Sequence, residues 1–254
     1  MNKRANKITA AIITNNEEAN IERCLKSLLW VDEIVVVDSF STDKTIDICR
    51  KYNCKIFQTE WKGFGITKKF AVDNASNDWI LSIDSDEVVT VELKNKIEDI
   101  LSKPEFNGYK IRRRSFYLGR EIKHCGWDKD FPLRLFNRKY GNFNEDLVHE
   151  SVVLKEQKSK ISEPLLHYTY PTINLHISKM NRYSELAQSK NIENKKYSIL
   201  ASMFFGINKF LKMYVLQKGF LDGKIGFLLC VHSAFGVYLK YIKIWQKNNE
   251  NSSH

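Results

Sequence analysis

An α/β fold, a mostly parallel sheet flanked by helices and followed by a C-terminal helical extension, is predicted by three features of this 254-residue chain. β-branched runs alternate with amphipathic segments through the first hundred residues. Three of those runs end in polar or acidic residues. From Pro171 onward, apolar residues recur with the 3.6-residue period of a helix.

Lys7 to Thr14 and Glu33 to Asp38 read as strands, Cys54 to Thr59 as a weaker one and Trp79 to Asp84 as a fourth. Between the first two, Ile21, Cys24, Leu25, Leu28 and Leu29 fall at i, i+3, i+4, i+7 and i+8, which is one stripe of a helix. Ile46 with Cys49 and Ile48 with Tyr52 mark a second helix, Phe64 to Ala75 a third and Glu92 to Leu101 a fourth. Strand and helix alternating at this spacing imply parallel strands covered on both faces. Ligands of such sheets bind at the carboxyl ends of the strands. From Gly108 to about His167 the pattern changes to short extended pieces rich in Arg, aromatic residues and Gly, as a substrate-facing region would be. Leu200, Met203, Phe204, Ile207, Phe210, Leu211, Tyr214 and Val215 then keep a helical period. A second apolar stretch, Ile225 to Leu239, holds His232 and ends in Lys240, Lys243 and Lys247. Fifteen residues fall short of the about 20 that a helix needs to cross a bilayer, so the expectation is an amphipathic helix pair lying on a membrane surface. Packing of these helices on the first domain is compatible with that. The predicted boundaries are an α/β domain over 1–170, a basic amphipathic extension over 171–247 and a disordered tail over 248–254.

Composition narrows the class. With 43% hydrophobic residues the chain can bury a full core. The stretch Ile8 to Ile13 is too short and too β-rich for a secretory signal, which places the protein in the cytoplasm. Five cysteines (Cys24, Cys49, Cys54, Cys125, Cys230) include no C-x-x-C pair, so reduced core thiols are expected rather than a zinc ribbon or a disulfide framework. The net charge is +10, and from Thr172 on twelve Lys or Arg face four Asp or Glu, so +8 of it sits in the last third. That asymmetry predicts an anionic partner surface. Nucleic acid is disfavoured, because the lysines are interleaved with apolar runs and no nucleic-acid-binding signature is present. An anionic membrane fits, with the protein peripheral on the inner face of the cytoplasmic membrane.

The chemistry is expected at the strand ends. Ser82-Ile83-Asp84-Ser85-Asp86-Glu87 closes the fourth strand, and in extended chain residues two apart point the same way, so Asp84 and Asp86 would share one spot. Hard carboxylate ligands suit Mg2+ or Mn2+ bridging to phosphate oxygens. A D-x-D triplet on a loop is otherwise solvated surface. Asp38 closes the second strand before a run suited to turning, where a carboxylate can accept hydrogen bonds from a base or ribose. Thr14-Asn15-Asn16-Glu17 closes the first, and there Asn16 can equally be a helix N-cap with Glu17 favouring the dipole. Arg112-Arg113-Arg114 on a strand would point to both faces, and Trp127 is as natural in a core as on a sugar face.

Thr14-Asn15-Asn16-Glu17-Glu18, Val35-Val36-Val37-Asp38-Ser39-Phe40-Ser41-Thr42-Asp43 and Asp84-Ser85-Asp86-Glu87 resemble family 2 glycosyltransferases, whose fold is the nucleotide-diphosphosugar-binding GT-A type. Gly126-Trp127, Arg134-Leu135-Phe136-Asn137-Arg138, Glu145-Asp146-Leu147-Val148-His149-Glu150, Pro164-Leu165-Leu166-His167-Tyr168 and Gly219-Phe220-Leu221-Asp222-Gly223 are similar to the branch that includes the lipopolysaccharide core β-1,4-glucosyltransferases. Phe40 departs from the small residue, often Gly, that relatives carry. The resemblance implies that Thr14, Asn16, Glu17 and Asp38 hold the nucleotide, that Lys69 neutralises diphosphate charge, and that Asp84 lies near ribose and metal while Asp86 ligates the metal. It implies an inverting reaction with Asp146 as general base and Glu145 as runner-up, and Arg134 or Arg138 helping a Mn2+ or Mg2+ ion stabilise the leaving diphosphate. His149 is either a metal or diphosphate contact or a structural hydrogen-bonding residue, and His167 stands the same way. The implied partners are a nucleotide-sugar donor, UDP-glucose first, and a lipid-linked glycan acceptor such as the heptose region of lipopolysaccharide core, with an isoprenoid-linked or protein acceptor as the alternative. A nucleotidyltransferase would place a Gly-rich loop where Thr14 to Glu17 stand, and Gly63-Phe64-Gly65 completes neither a dinucleotide-binding nor a P-loop motif. An inactive membrane-surface adaptor would have no need of the acidic residues.

Overall fold

The computed structural model describes residues 5–144, 150–190 and 197–250. The chain forms two compact units, Met1–Arg113 with Asp130–His167, and Arg114–Lys129 with Tyr168–His254. The segment Arg114–Lys129, inside the predicted 1–170 domain, thus groups with the helices.

In the first unit β1 (Ile8–Thr14), β2 (Glu33–Asp38), β3 (Lys55–Gln58) and β4 (Trp79–Asp84) are parallel, in the spatial order β3-β2-β1-β4. Thr14 pairs with Asp38 and Ile13 with Asp84, so three strand tips end level. Alternation along each strand fills both faces. Ile8, Ala10, Ile12, Val36, Leu81 and Ile83 pack with α1 (Ile21–Lys26) and α4 (Val91–Ser102). Ala11, Val35, Val37 and Ile80 pack with Ala71 and Val72 of α3 (Phe64–Asp73) on the other side. The short α2 (Thr45–Lys51) follows β2. Helix α1 stops at Lys26, short of the predicted stripe: Ser27 turns its hydroxyl onto Cys24 O at 2.7 Å, and Leu29 is left exposed.

Beyond β4 the sheet becomes antiparallel. β8 (Leu133–Asn137) pairs with β4 and with β6 (Gly108–Tyr117), and β11 (Ser159–Tyr170) lies between β6 and β5 (Glu87–Val89). β9 (Gly141–Phe143) and β10 (Val152–Leu154) pair antiparallel in a separate two-stranded sheet.

The second unit contains the short β7 (Arg120–Glu121), α5 (Ile173–Lys190), α6 (Ile199–Leu211), a π-helical turn Lys212–Leu216, a 3-10 turn Gly219–Asp222 and α7 (Gly223–Glu250). Its core is Tyr117, Ile122, Cys125, Met213, Leu229 and Cys230, with Trp127 packed against it in a core role. Asp222 accepts from Lys123 N at 3.1 Å and His124 N at 2.9 Å. Gly219 is required by close approach, since a Cβ there would lie 2.8 Å from Cys125 Sγ and 2.9 Å from Cys230 Sγ. All five cysteines are free thiols and four are buried. The predicted length limit on the last apolar stretch does not hold: α7 is 28 residues long, because Gly223 starts it early and polar residues continue it. Two stretches, Ile199–Leu216 and Gly219–Glu250, are long and apolar enough to cross a membrane by length and composition. Asn-rich composition predicts disorder from Asn248, yet α7 runs to Glu250.

Candidate active site

The tips of β1 and β2 are joined by Ser39 N, which donates to Thr14 O at 2.9 Å. Asn16 takes a left-handed backbone, φ 55°, which Asn tolerates better than most residues. Its N–H donates to Ser41 Oγ (2.8 Å), and its Oδ1 accepts from Thr42 N (2.8 Å). Asn16 therefore ties two loops together and caps no helix; Asn20 precedes α1. Glu17 accepts from Asn20 Nδ2 at 2.8 Å, and its own N–H donates to Thr45 Oγ1 at 2.9 Å. Asp38 is fully buried and accepts from Ser41 N and Gln58 Nε2, both at 3.0 Å, and from the Ser41 hydroxyl. Two hydroxyls remain at these tips. Thr14 Oγ1 and Ser39 Oγ are buried with no hydrogen-bond partner among the described residues. A buried donor left unsatisfied costs about 1–3 kcal/mol, so such groups mark places where a ligand completes the bonding.

The acidic segment behaves differently from its simplest sequence reading. Shared direction for Asp84 and Asp86 needs extended chain through both, but β4 ends at Asp84 and Ser85-Asp86 form a turn into β5. Asp84 turns to cations: Lys68 Nζ at 2.9 Å and the guanidinium of Arg134. Burial opposes its charge, but Arg134 and then Lys68 outweigh that and hold the Asp84 carboxyl well below the usual carboxylate range. Arg134, 4% exposed, also donates to Glu87 at 2.7 Å, and burial is again outweighed by Asp84 and Glu87, which raise its pKa. Glu87, fully buried, accepts from Asp84 N at 2.8 Å and from Arg113 at 3.3 Å. Lys68 also reaches Glu150 at 2.8 Å. Asp86 instead faces His167, whose Nε2 stands 3.5 Å from its Oδ1. β11 sets His167 opposite Glu87, the residue next to Asp86.

Of the residues expected to act together, Thr14, Asn16, Glu17 and Asp38 gather at the tips of β1 and β2, and Asp84 with Arg134 at the tip of β4. Asp84 is paired with two cations, Lys68 and Arg134. Arg138 lies elsewhere: its N–H bonds Asp78 O at the start of β4, and its guanidinium bonds Val72 O and Ala75 O at 3.2 and 2.6 Å. It closes the end of α3, away from the diphosphate position expected for it. The lysine at Asp84 is Lys68, the neighbour of Lys69 in α3. Lys68 precedes the buried Ala71 and Val72 by three and four residues and so shares their face, a signal present in the helix phase. Glu87, Arg113 and Ser39 were also missed, Glu87 although it stands in the acidic run. Glu145, Asp146 and His149 lie outside the described residues.

Among the described residues no three His, Cys, Asp or Glu gather as a metal site. Asp86 and His167 nevertheless form a carboxylate and imidazole pair closer than twice a metal–oxygen bond of about 2.1 Å, a donor set that suits Mn2+. Among the described residues, Asp86 and His167 are therefore the two that would hold such a cation.

The glycosyl transferase family 2 model matches residues 9–156. An uncharacterized glycosyltransferase of Rickettsia typhi is 32% identical, over 94% of this chain and 86% of its own. Lipopolysaccharide core biosynthesis glycosyltransferase LpsC of Rhizobium meliloti is 28% identical, over 95% of this chain and 93% of its own. The crystal structure of S. aureus TarS 1–349 in complex with UDP-GlcNAc covers 96% of this chain and 92% of that one at 15% identity and a TM-score of 0.49, a likeness too loose to carry an inference. With a family match over more than half its length and a relative alike across nearly all of it, the chain belongs to glycosyl transferase family 2, and its mixed sheet with flanking helices is the family's GT-A fold.

Proposed function

We propose that this glycosyltransferase moves a hexose, glucose first among candidates, from a nucleotide diphosphate donor, UDP first, to a hydroxyl of a lipid-linked glycan, with inversion at the anomeric carbon. The carrying observation is the level ending of β1, β2 and β4, where two buried unsatisfied hydroxyls, Thr14 Oγ1 and Ser39 Oγ, stand beside the buried Asp38. A ribose or base offers the donors and acceptors those groups lack. Asp86 and His167 would hold the divalent cation, Mn2+ or Mg2+, which offsets charge growing on the departing diphosphate. Arg134 and Lys68 keep Asp84 ionised beside that position, so the local field is set before donor arrives. Asp146 is assigned as the base that takes the acceptor proton, with Glu145 as its alternate. General-base assistance is worth about 10²–10⁴ in rate, so Asp146→Asn should lose that much turnover and keep donor affinity.

The role in lipopolysaccharide core biosynthesis that the relative's name carries supports a core glycan as acceptor. The exposed apolar face of α6, with Leu200, Phe204, Ile207 and Leu211, supports contact with a membrane surface. Helix α7 is read as lying on that surface, because it packs along α5: Lys243 reaches Glu185 at 3.2 Å, and a Cβ on Gly236 would meet Met180. A spanning α7 would drag Lys179, Arg182 and Glu185 of α5 into hydrocarbon.

Release of nucleotide diphosphate from a panel of donors, with Mn2+, Mg2+ and chelator arms and then with extracted lipid acceptor, tests the reaction. Turnover should need the cation and rise with acceptor. Absence of any donor turnover, together with no thermal shift by UDP and Mn2+, would sink the reading. For the membrane, sedimentation with anionic vesicles should exceed that with neutral ones; equal binding removes the electrostatic part.

A further inference from the structure

Helices α6 and α7 fold back on each other: Phe210 and Phe227 stand edge to face with ring centroids 5.9 Å apart, and a Cβ on Gly206 would meet Ala234 O. The chain between them, Lys212 to Asp222, is a corner built from the π-helical turn, Gln217, Lys218 and the 3-10 turn. Val215, Leu216, Phe220 and Leu221 are all exposed on it. Leu216, at 78%, is the most exposed large apolar side chain among the described residues. The shape is fixed by close packing, since a Cβ on Gly226 would fall 2.2 Å from Gly219 O.

Two further observations say what covers this hydrocarbon. The first is that the corner's main chain is hydrogen-bonded within its own unit. Gln217 N donates to Lys212 O at 2.9 Å, Lys218 N to Val215 O at 3.1 Å and Leu221 N to Lys218 O at 2.9 Å, while Gln217 O accepts from Cys125 N at 3.0 Å. An ordinary loop cannot enter lipid because its bare N–H and C=O groups find no partners there; this one brings its partners along. The second is that the charge around it has one sign. Lys212, Lys218 and Lys224 are exposed, and among the described residues none of the three is in an ion pair. Asp222 is the only acid between Tyr197 and Asn249, and its carboxylate is taken up by Lys123 N and His124 N. Lysine stems are long enough to keep their ammoniums at headgroup level while neighbouring apolar side chains go deeper.

Other occupants fit less of this. A second copy related by a two-fold axis would set the corner against its own image, lysines against lysines. Nucleic acid would use the ammoniums and leave the leucines in water. Passage of the corner through a bilayer would drag three ammoniums across hydrocarbon. We propose that the α6–α7 corner is the element that enters the membrane, with Val215, Leu216, Phe220 and Leu221 among the upper acyl chains and Lys212, Lys218 and Lys224 on the headgroups of anionic phospholipids. The proposal rests on the reading of membrane contact and narrows it from helix faces to one corner whose lysines select the lipid.

The test is sedimentation of the full chain with vesicles of phosphatidylcholine alone and of phosphatidylcholine mixed with phosphatidylglycerol. Leu216→Ser and Leu221→Ser should each weaken partitioning onto the mixed vesicles about tenfold, the loss of one aliphatic side chain from lipid. Leu200→Ser, equally exposed at the far end of α6, should cost less than either. Lys218→Gln should weaken binding to the mixed vesicles about fivefold and leave binding to phosphatidylcholine unchanged, whereas Lys96→Gln, exposed on α4, should change neither. Leu216→Trp should gain more quenching from chain-brominated lipid than Leu200→Trp. Should Leu216→Ser unfold, Lys218→Gln and the two tryptophan variants still decide. Equal losses from Leu200→Ser and Leu216→Ser, or a Lys218→Gln variant that binds mixed vesicles as the parent does, overturn the proposal. So does a light-scattering mass that drops from dimer to monomer in Leu216→Ser with vesicle binding retained, which would make the corner a face for self-association. A parent chain that binds neither vesicle removes the membrane reading itself, whereas a parent that binds alongside corner variants that bind equally removes the corner alone.

Discussion

In the first unit Arg134 and Glu87 are 4% and 0% exposed, whereas in the second Leu200 and Leu216 are 77% and 78% exposed. One region holds charge away from water and the other holds hydrocarbon in it. Interior charge persists only when paired, which Asp84, Glu87, Arg113, Arg134 and Lys68 achieve among themselves, with Arg134 Nε left without a hydrogen-bond partner among the described residues. No internal pairing relieves exposed hydrocarbon, so it points to something outside the chain. Polarity is thus enclosed at the strand tips, and oiliness is left open on the helices.

The largest expected effect breaks the first half of this contrast. Arg134→Met leaves Asp84 and Glu87 short of their shared cation and should destabilise the first unit by about 3–5 kcal/mol, read from urea unfolding; a loss under 1 kcal/mol would show that the cluster is not a unit. Acid should then separate the two regions. Burial, with His232 second, brings His176 down to about 4, below its unfolded value of about 6.5. Between those values the unfolded chain binds a proton that the folded one refuses, so stability falls as pH drops through that window, by on the order of 3 kcal/mol. The depressed Asp84 contributes fully above its unfolded value of about 3.9 and fades only below it. Near-ultraviolet dichroism and amide exchange between pH 6.5 and 4 should show the helical unit loosening first, and His176→Gln should flatten that slope. A smaller effect is expected at Phe40, whose φ of 54° strains a bulky side chain; Phe40→Gly should stabilise by about 1 kcal/mol in the same urea assay. The smallest is at Phe204, 64% exposed. Phe204→Ser should leave unfolding within about 0.5 kcal/mol of the parent while reducing vesicle sedimentation, and a large stability loss would mean that this face is covered by the protein itself.

The parallel strands were legible because short β-branched runs between polar punctuation leave few alternatives; Glu33–Asp38 and Trp79–Asp84 match their predicted limits. Helix α4 extends its prediction by one residue at each end, where Thr90 Oγ1 caps Leu93 N at 3.1 Å. Legibility ended where contacts join distant segments. Strand alternation would turn Asp84 and Asp86 together, but Glu87, the first residue of β5, accepts from Asp84 N across the Ser85-Asp86 turn, a closure over three positions that propensity does not reveal. The inward face of Lys68 was readable from helix phase, whereas the pairing of Arg134 with Glu87, 47 positions apart, needed the strand order. Length was misjudged in α7 because the apolar count ended at Leu239 and the helix did not.

Asp222 joins Lys123 and His124 across separations of 99 and 98 residues, and Cys125 packs on Cys230 across 105. Closing so long a loop is slow and entropically costly. During synthesis the 114–129 stretch must therefore wait, half-made, until about a hundred further residues have left the ribosome. The exposed oily helices of the second unit emerge just as these stitches become available, which shortens the time in which they can aggregate.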